Sequence, residues 1–251
     1  MTAPAVLPRR VEWQIARVVE VRAETAGAAT VAFHVPYWAG HTAGQHLDLR
    51  LTAEDGYQAE RSYSIASPPE GATVDITVER IEDGEVSPFL VGELRAGDEI
   101  ELRGPIGGYF AWRVDDGGPL LLVAGGSGIV PLMAMVRHRT AAMSDVPTRM
   151  VASARTLDDL LYRPELDELA ARGDGFDVHV TLTRETPAGW TGYARRVDRD
   201  LLSEVAWPAR EAPRVFVCGP TPFVERAAEI LVALGHAPGR VKTERFGPTG
   251  G

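Results

Sequence analysis

The chain has 251 residues, of which 45% are hydrophobic and 24% charged, with 26 Lys+Arg against 35 Asp+Glu and one cysteine. At about 100–200 residues per domain this length fits one large or two ordinary domains, and the apolar content argues against disorder. The net charge of −9 argues against a broad nucleic-acid surface, and one cysteine excludes an internal disulfide framework, a four-thiolate zinc site and a cysteine-ligated iron–sulfur cluster within this chain.

The N-terminal segment, Met1 to Arg10, has no charged start followed by an apolar stretch, so no signal peptide is expected. Short segments rich in Val, Ile, Leu and Thr follow at 13–22, 29–35, 47–52, 60–67, 73–80 and 98–104. Gly, Pro and acidic turns separate them, which predicts an antiparallel barrel or sandwich. One short helix is expected near Val86-Ser87-Pro88, where proline suits a first helical turn. The rhythm changes after Asp115-Asp116-Gly117-Gly118-Pro119, which reads as a linker. The apolar run 120–124 predicts a strand buried on both faces. Helices are expected at 129–142, 164–171 and 222–234, with strands at 148–154, 177–183, 214–218 and 241–246. This alternation implies a parallel sheet flanked by helices.

The two-domain reading is therefore residues 1–113 and 114–251. The first part carries 10 Lys+Arg and 17 Asp+Glu, a net of −7, and the second 16 and 18, a net of −2. The apolar region 120–136 is broken by glycines and Pro131 and is shorter than the roughly 20 residues of a membrane span. The expectation is a cytoplasmic monomer without membrane or nucleic-acid partners. His41 and His46 are too irregularly placed for a metal pair, and no metal is expected.

Five segments can carry chemistry. Along the extended Arg61-Ser62-Tyr63-Ser64, arginine and tyrosine share one face and the serines the other. Arginine can clamp a phosphate and a tyrosine ring can lie on a heterocycle, although an ordinary edge strand has the same pattern. Gly84-Glu85-Val86-Ser87 offers either an anion seat before a helix or a plain serine N-cap. Gly104-Pro105-Ile106-Gly107-Gly108 is a turn that would also admit close approach of a flat ligand. Gly125-Gly126-Ser127-Gly128 lies between a buried strand and a helix, aiming N–H groups at a pyrophosphate. It departs from the dinucleotide fingerprint, because Pro131 stands at the third glycine position and Ser153-Ala154-Arg155 follows the next strand in place of an acid. Cys218-Gly219-Pro220 ends a strand where parallel sheets bind ligands; a lone cysteine is more often a small buried hydrophobe, and Cys218 is not read as a nucleophile.

In this order the five segments resemble the ferredoxin–NADP(+) reductase superfamily, from about residue 12 to the C-terminus. The resemblance implies a flavin-binding β-barrel followed by an α/β nucleotide-binding domain, with FAD and NADP as cofactors. It implies that Arg61 contacts flavin phosphate, that Tyr63 packs on the isoalloxazine, and that Ser64 bonds near flavin N5, with Ser62 and Glu79 also in the flavin site. Gly84, Val86 and Ser87 match the pyrophosphate loop. Gly125, Gly126, Ser127, Gly128 and Pro131 match the nicotinamide-nucleotide loop, and Cys218, Gly219 and Pro220 the segment beside the nicotinamide. Thr183 and Arg184 match a 2′-phosphate site, with Arg155 a second arginine near the nucleotide; a cation and a hydroxyl favour NADP over NAD. Glu244 and Phe246 match the terminal acidic and aromatic residues beside the flavin. Ser64, Cys218 and Glu244 are the implied catalytic residues.

The implied reaction is hydride transfer from NADPH (or NADH) to FAD and electron release to a separate acceptor such as a ferredoxin. One cysteine and a chain ending shortly after Phe246 lead to the expectation that no iron–sulfur domain is attached. A free-standing flavin or quinone reductase, and a non-catalytic electron-transfer subunit or redox sensor, stay open as alternatives.

Overall fold

The computed structural model describes residues 11–247; the leader reading and the tail 248–251 lie outside them. Six strands form one antiparallel sheet: β1 (Gln14–Thr25), β2 (Ala28–His34), β3 (His46–Thr52), β4 (Gln58–Ser64), β5 (Val74–Glu79) and β6 (Glu99–Ile106), in the order β4-β3-β6-β1-β2-β5. The two edge strands meet just past Ser64, where Ile65 bridges Ile76 and the Ala66 N–H donates to Asp75 O at 2.7 Å. That short seam closes the sheet into a barrel, although most of β4 and β5 pairs on one side only. Val31, Phe33, Leu47, Leu49, Ile76 and Leu102 fill its interior, and the helix α1 (Ser87–Gly92) adds Leu90.

The second half alternates β7 (Leu120–Gly125), α2 (Ile129–Ala141), β8 (Thr148–Ala154), α3 (Arg163–Ala171), β9 (Phe176–Leu182), α4 (Arg199–Val205), β10 (Arg214–Pro220), α5 (Thr221–Ala233) and β11 (Val241–Phe246). Its five strands are parallel, in the order β11-β10-β7-β8-β9. Every residue of β7 is buried, because helices or the barrel cover both faces of the sheet. Leu121, Val123, Val215 and Val217 pack against α4 and α5. Leu120, Leu122, Ala124, Phe216 and Cys218 face the other way, toward α2, α3 and the barrel side. The expected two-part architecture is the observed one. The helix α4 is an addition: its seven residues are too few to show a period, although Asp198 caps it by accepting from Leu201 N–H at 2.9 Å.

The halves meet along the outer face of β2 and β5. Six of the seven β2 residues are buried, since Val31 and Phe33 fill the barrel while Thr30 looks toward the parallel sheet's helices. There the Tyr162 hydroxyl donates to Thr77 Oγ1, which shares a 2.6 Å hydrogen bond with Thr30. Arg137 from α2 donates to Ala66 O at 2.7 Å and forms a two-pronged pair with Glu165. A buried polar atom left without a partner costs about 1–3 kcal/mol, so this network penalises any other docking of the halves. No helix among the described residues is long and apolar enough to cross a membrane.

Candidate functional site

The carboxyl ends of all five parallel strands open on one cavity of about 930 Å³. Gly125 to Ser127 follow β7, Ser153 to Arg155 end β8, Thr183 follows β9, Pro220 ends β10 and Phe246 ends β11. The barrel supplies the opposite wall through the β1–β2 turn, Thr25 to Ala28, and through Glu79 and Arg80. Parallel sheets bind ligands outside the carboxyl ends of their strands, where backbone dipoles and connecting loops converge.

The glycines of the first loop do different jobs. Gly126 has φ +55° with open space where a side chain would stand, and it lines the cavity. A Cβ on Gly125 would stand 2.8 Å from the Phe223 ring, and one on Gly128 would overlap the Cys218 carbonyl. Gly128 is buried and lies outside the cavity wall. Glycine is required there because two strand-end loops press together, with Phe223 between Gly125 and Gly219. Pro131 is likewise buried, inside the first turn of α2.

Four guanidinium groups, Arg80, Arg155, Arg196 and Arg226, line this cavity, and none is salt-bridged to a carboxylate among the described residues. Guanidiniums without a carboxylate partner suit phosphate oxygens. Asp158 and Asp159 share the rim, and Asp159 is occupied in accepting Thr156 N–H and Oγ1. Arg184 is exposed and lies outside the cavity wall, although its N–H donates to Arg155 O at 2.9 Å. The Thr183 hydroxyl donates to Ala154 O at 3.2 Å.

The strand β4 carries the barrel's share. Tyr63 is half-buried against the barrel core, and burial raises its phenol to about 12. Ser64 is half-buried opposite His46. Ser62 donates to Asp48 Oδ1 at 2.6 Å, on the outer surface where Arg103 also pairs with Asp48. Arg61 is exposed and pairs with Glu85 at 2.7 Å. In the neighbouring loop Val86 is buried in the barrel core, and the buried Ser87 hydroxyl accepts Ile81 N–H at 3.0 Å. Val86, not Ser87, is the N-cap of α1, and the Ser87 hydroxyl closes the 81–87 turn beside Gly84 as an acceptor, which leaves its own O–H to donate.

Cys218 and Glu244 are register neighbours on β10 and β11, so their side chains share a face. Cys218 is 2% exposed, and burial, reinforced by the Glu244 charge, pushes its thiol pKa well above the ordinary value. It is held protonated, in keeping with a wall residue. Burial also raises the Glu244 carboxyl to about 7, and its Oε2 is buried without a hydrogen-bond partner. A carboxyl that changes protonation near neutrality, with one oxygen unclaimed, can hold or move a proton. Phe246, two residues on, lines the cavity. His41 is committed elsewhere, between Trp38 Nε1–H at 3.2 Å and Ser67 O at 3.0 Å.

Thr25 to Ala28, Arg80, Arg196, Phe223 and Arg226 escaped the sequence reading. None sits in a recognisable motif, and only folding brings these distant stretches to one cavity. The signal for Arg80 was its place directly after a strand; an isolated arginine on a helix, such as Arg226, carried none.

Two family models match the chain: an oxidoreductase FAD-binding domain over residues 16–111 and an oxidoreductase NAD-binding domain over residues 122–229. The glycine betaine monooxygenase reductase subunit of Pseudomonas aeruginosa is 33% identical over 240 residues, which cover 94% of this chain and 64% of that protein. The chain thus spans less than two thirds of that relative's length. Ferredoxin–NADP reductase B of Sorangium cellulosum is 34% identical over 209 residues, covering 81% of this chain and 84% of the relative. A cytochrome P450 reductase from Amycolatopsis superposes with a TM-score of 0.81 at 26% identity, over 98% of this chain and 74% of that one.

Proposed function

Because the chain belongs to the ferredoxin–NADP reductase family, we propose that it is a flavoprotein oxidoreductase that draws on NADPH and delivers electrons to a separate acceptor, a ferredoxin or similar carrier. The observation that carries the reading is the cavity at which all five parallel strands end, shared with the barrel and lined by four unpaired arginines. FAD, when bound, supplies the redox chemistry, taking a hydride and releasing electrons. The residues present fit both cofactors. The open Gly126, the hydroxyl of Ser127 and the four guanidiniums suit a dinucleotide with an extra phosphate. Arg61 offers a cation, and Tyr63 an aromatic face, beside the barrel seam.

Each side chain then has a task. Arg155 and Arg196, near the ends of β8 and β9, hold the 2′-phosphate, with Arg184 further out. Arg80 and Arg226 hold the pyrophosphate from opposite walls. Gly125 and Gly219 let Phe223 seat between the two loops, which keeps the nucleotide path narrow. Cys218 would form an uncharged wall beside the nicotinamide, Ser64 would donate a hydrogen bond near flavin N5 from the barrel, and Glu244 would take or return a proton. Phe246 covers the cavity end and excludes water. Orientation supplies the rate enhancement, with no covalent enzyme intermediate.

The match to a monooxygenase reductase subunit supports a protein acceptor. A net charge of −7 on residues 1–113 sets the condition on it: an acidic carrier must dock on a local arginine patch. Stopped-flow reduction of a candidate ferredoxin across ionic strengths tests this branch, and no transfer at any salt concentration sinks it. The test of the central reading is colour. The purified protein is expected to be yellow, to release FAD on denaturation, and to bleach anaerobically faster with NADPH than with NADH. A colourless protein that cannot be reconstituted with flavin overturns it.

A further inference from the structure

The loop residue Glu85 stands between two halves of the barrel's candidate phosphate seat and joins them. Its Oε2 pairs with Arg61 Nη2 at 2.7 Å, and its Oε1 accepts the Tyr57 hydroxyl at 2.9 Å. Arg61 Nη1 is turned back onto Glu60 O at 2.7 Å. One N–H on each terminal nitrogen of the arginine is therefore in use within the chain, and its other donors stay open. The hydrogen bond from Tyr57, followed by that from Arg61, holds the Glu85 carboxyl below the usual range, so it is charged at neutral pH. The loop that presents it is pinned from both sides: Gly84 N–H donates to Ile81 O at 2.9 Å and Ile81 N–H to Ser87 Oγ at 3.0 Å.

A carboxylate that takes one guanidinium N–H and one phenol O–H uses the donors that a phosphate oxygen pair would use. Arg61 and Glu85 are each about half exposed, at 50%, and exposed ion pairs are weak, so the arrangement yields to a stronger anion. A phosphate dianion arriving at Arg61 would also meet the Glu85 charge directly, and like charges at such spacing repel.

We propose that Glu85 is an acidic neighbour built into the flavin phosphate seat: its carboxylate, hydrogen-bonded to Arg61 and Tyr57, competes with the phosphate for Arg61 and repels it, and so weakens retention of a phosphorylated flavin. The proposal rests on the reading of Arg61 as the phosphate contact. It makes Glu85 a determinant of flavin affinity, with no part in the chemistry. Riboflavin, which has no phosphate, is indifferent to it.

The experiment is titration of the flavin-free protein by quenching of flavin fluorescence, with FAD, FMN and riboflavin as probes. Glu85→Gln is expected to tighten FAD and FMN about five- to tenfold, the effect of removing roughly one like charge from an exposed anion seat, and to leave riboflavin within about twofold. Glu85→Ala is expected to move in the same direction. Weaker or unchanged FAD binding in both variants overturns the proposal, since Glu85 would then be positioning Arg61 in place of competing for it. Equal tightening of riboflavin overturns it as well. The underlying reading fails separately: Arg61→Ala that leaves FAD and FMN affinity unchanged removes Arg61 from the phosphate seat, whatever Glu85 does.

Discussion

The two ligand-facing regions of this molecule are built by different means. At the end of the parallel sheet, backbone does most of the work: five strands stop at one level, glycines let their loops touch, and arginines from distant segments gather over the opening. On the barrel, the candidate flavin contacts are side chains of one edge strand, and the cation among them, Arg61, is taken up by Glu85 of the same half. The first kind of site is preformed and open. The second presents its cation already partnered, so a ligand must compete for it. A sheet-end site consequently tolerates surface changes and fails when its loops are pushed apart, whereas a side-chain site responds to single charges.

The largest effect should come from breaking the sheet-end geometry. Gly128→Ala puts a methyl group into the Cys218 carbonyl, and overlap with backbone cannot be relieved by a rotamer change; a loss of about 2–4 kcal/mol is expected, measured by chemical denaturation. Gly126→Ala, facing open space at φ +55°, is expected to cost about 1–2 kcal/mol, the left-handed backbone strain alone. If both cost the same, loop contact is not what separates the two glycines.

Next in size is the pH dependence set by Glu244. Its folded-state pKa is raised to about 7 from an ordinary 4.5, so the folded state holds the proton more tightly than the unfolded chain. The stability this contributes is complete below about pH 4.5 and is lost as the pH rises through 7. Glu244→Gln removes the titration. It should match the parent near pH 4 and exceed it by about 1–3 kcal/mol at pH 8, a range reduced for the carboxyl's residual exposure. Thermal unfolding of both proteins across pH 4–9 measures this, and a pH-independent difference contradicts it.

The smallest effects separate the arginines that line the cavity from one that does not. Arg155→Ala is expected to reduce the preference for NADPH over NADH about five- to twentyfold, through loss of one charge-assisted phosphate contact. Arg184→Ala, outside the cavity wall, is expected to change it less, and neither should alter flavin content. Steady-state kinetics with both nucleotides ranks the two; a larger effect at Arg184 would move the phosphate seat off the β8 side.

Much of this was legible one segment at a time. The apolar run of β7 announces a doubly covered strand, and the glycine turn after it announces a loop that touches something. The motif Arg61-Ser62-Tyr63-Ser64 names its strand but not its facing: only the pairing with β3 turns Ser62 outward to Asp48. Ser87 looks like a helix cap in sequence, but Val86 holds the N-cap position and the Ser87 hydroxyl accepts Ile81 N–H to close a turn. The helix α4 lacked the length for periodicity to emerge.

A single cysteine and an arginine-dominated set of cations are facts of the sequence, and so are the barrel-then-sheet order and the family it belongs to, because local hydrophobic period and turn chemistry are written residue by residue. The cavity is not. Gathering Arg80, Arg155, Arg196 and Arg226, raising Glu244 toward neutrality and setting Glu85 on Arg61 each depend on burial and on contacts between distant segments. Those quantities exist only once the two halves have docked, since electrostatics and desolvation are properties of the assembled surroundings and not of any residue alone.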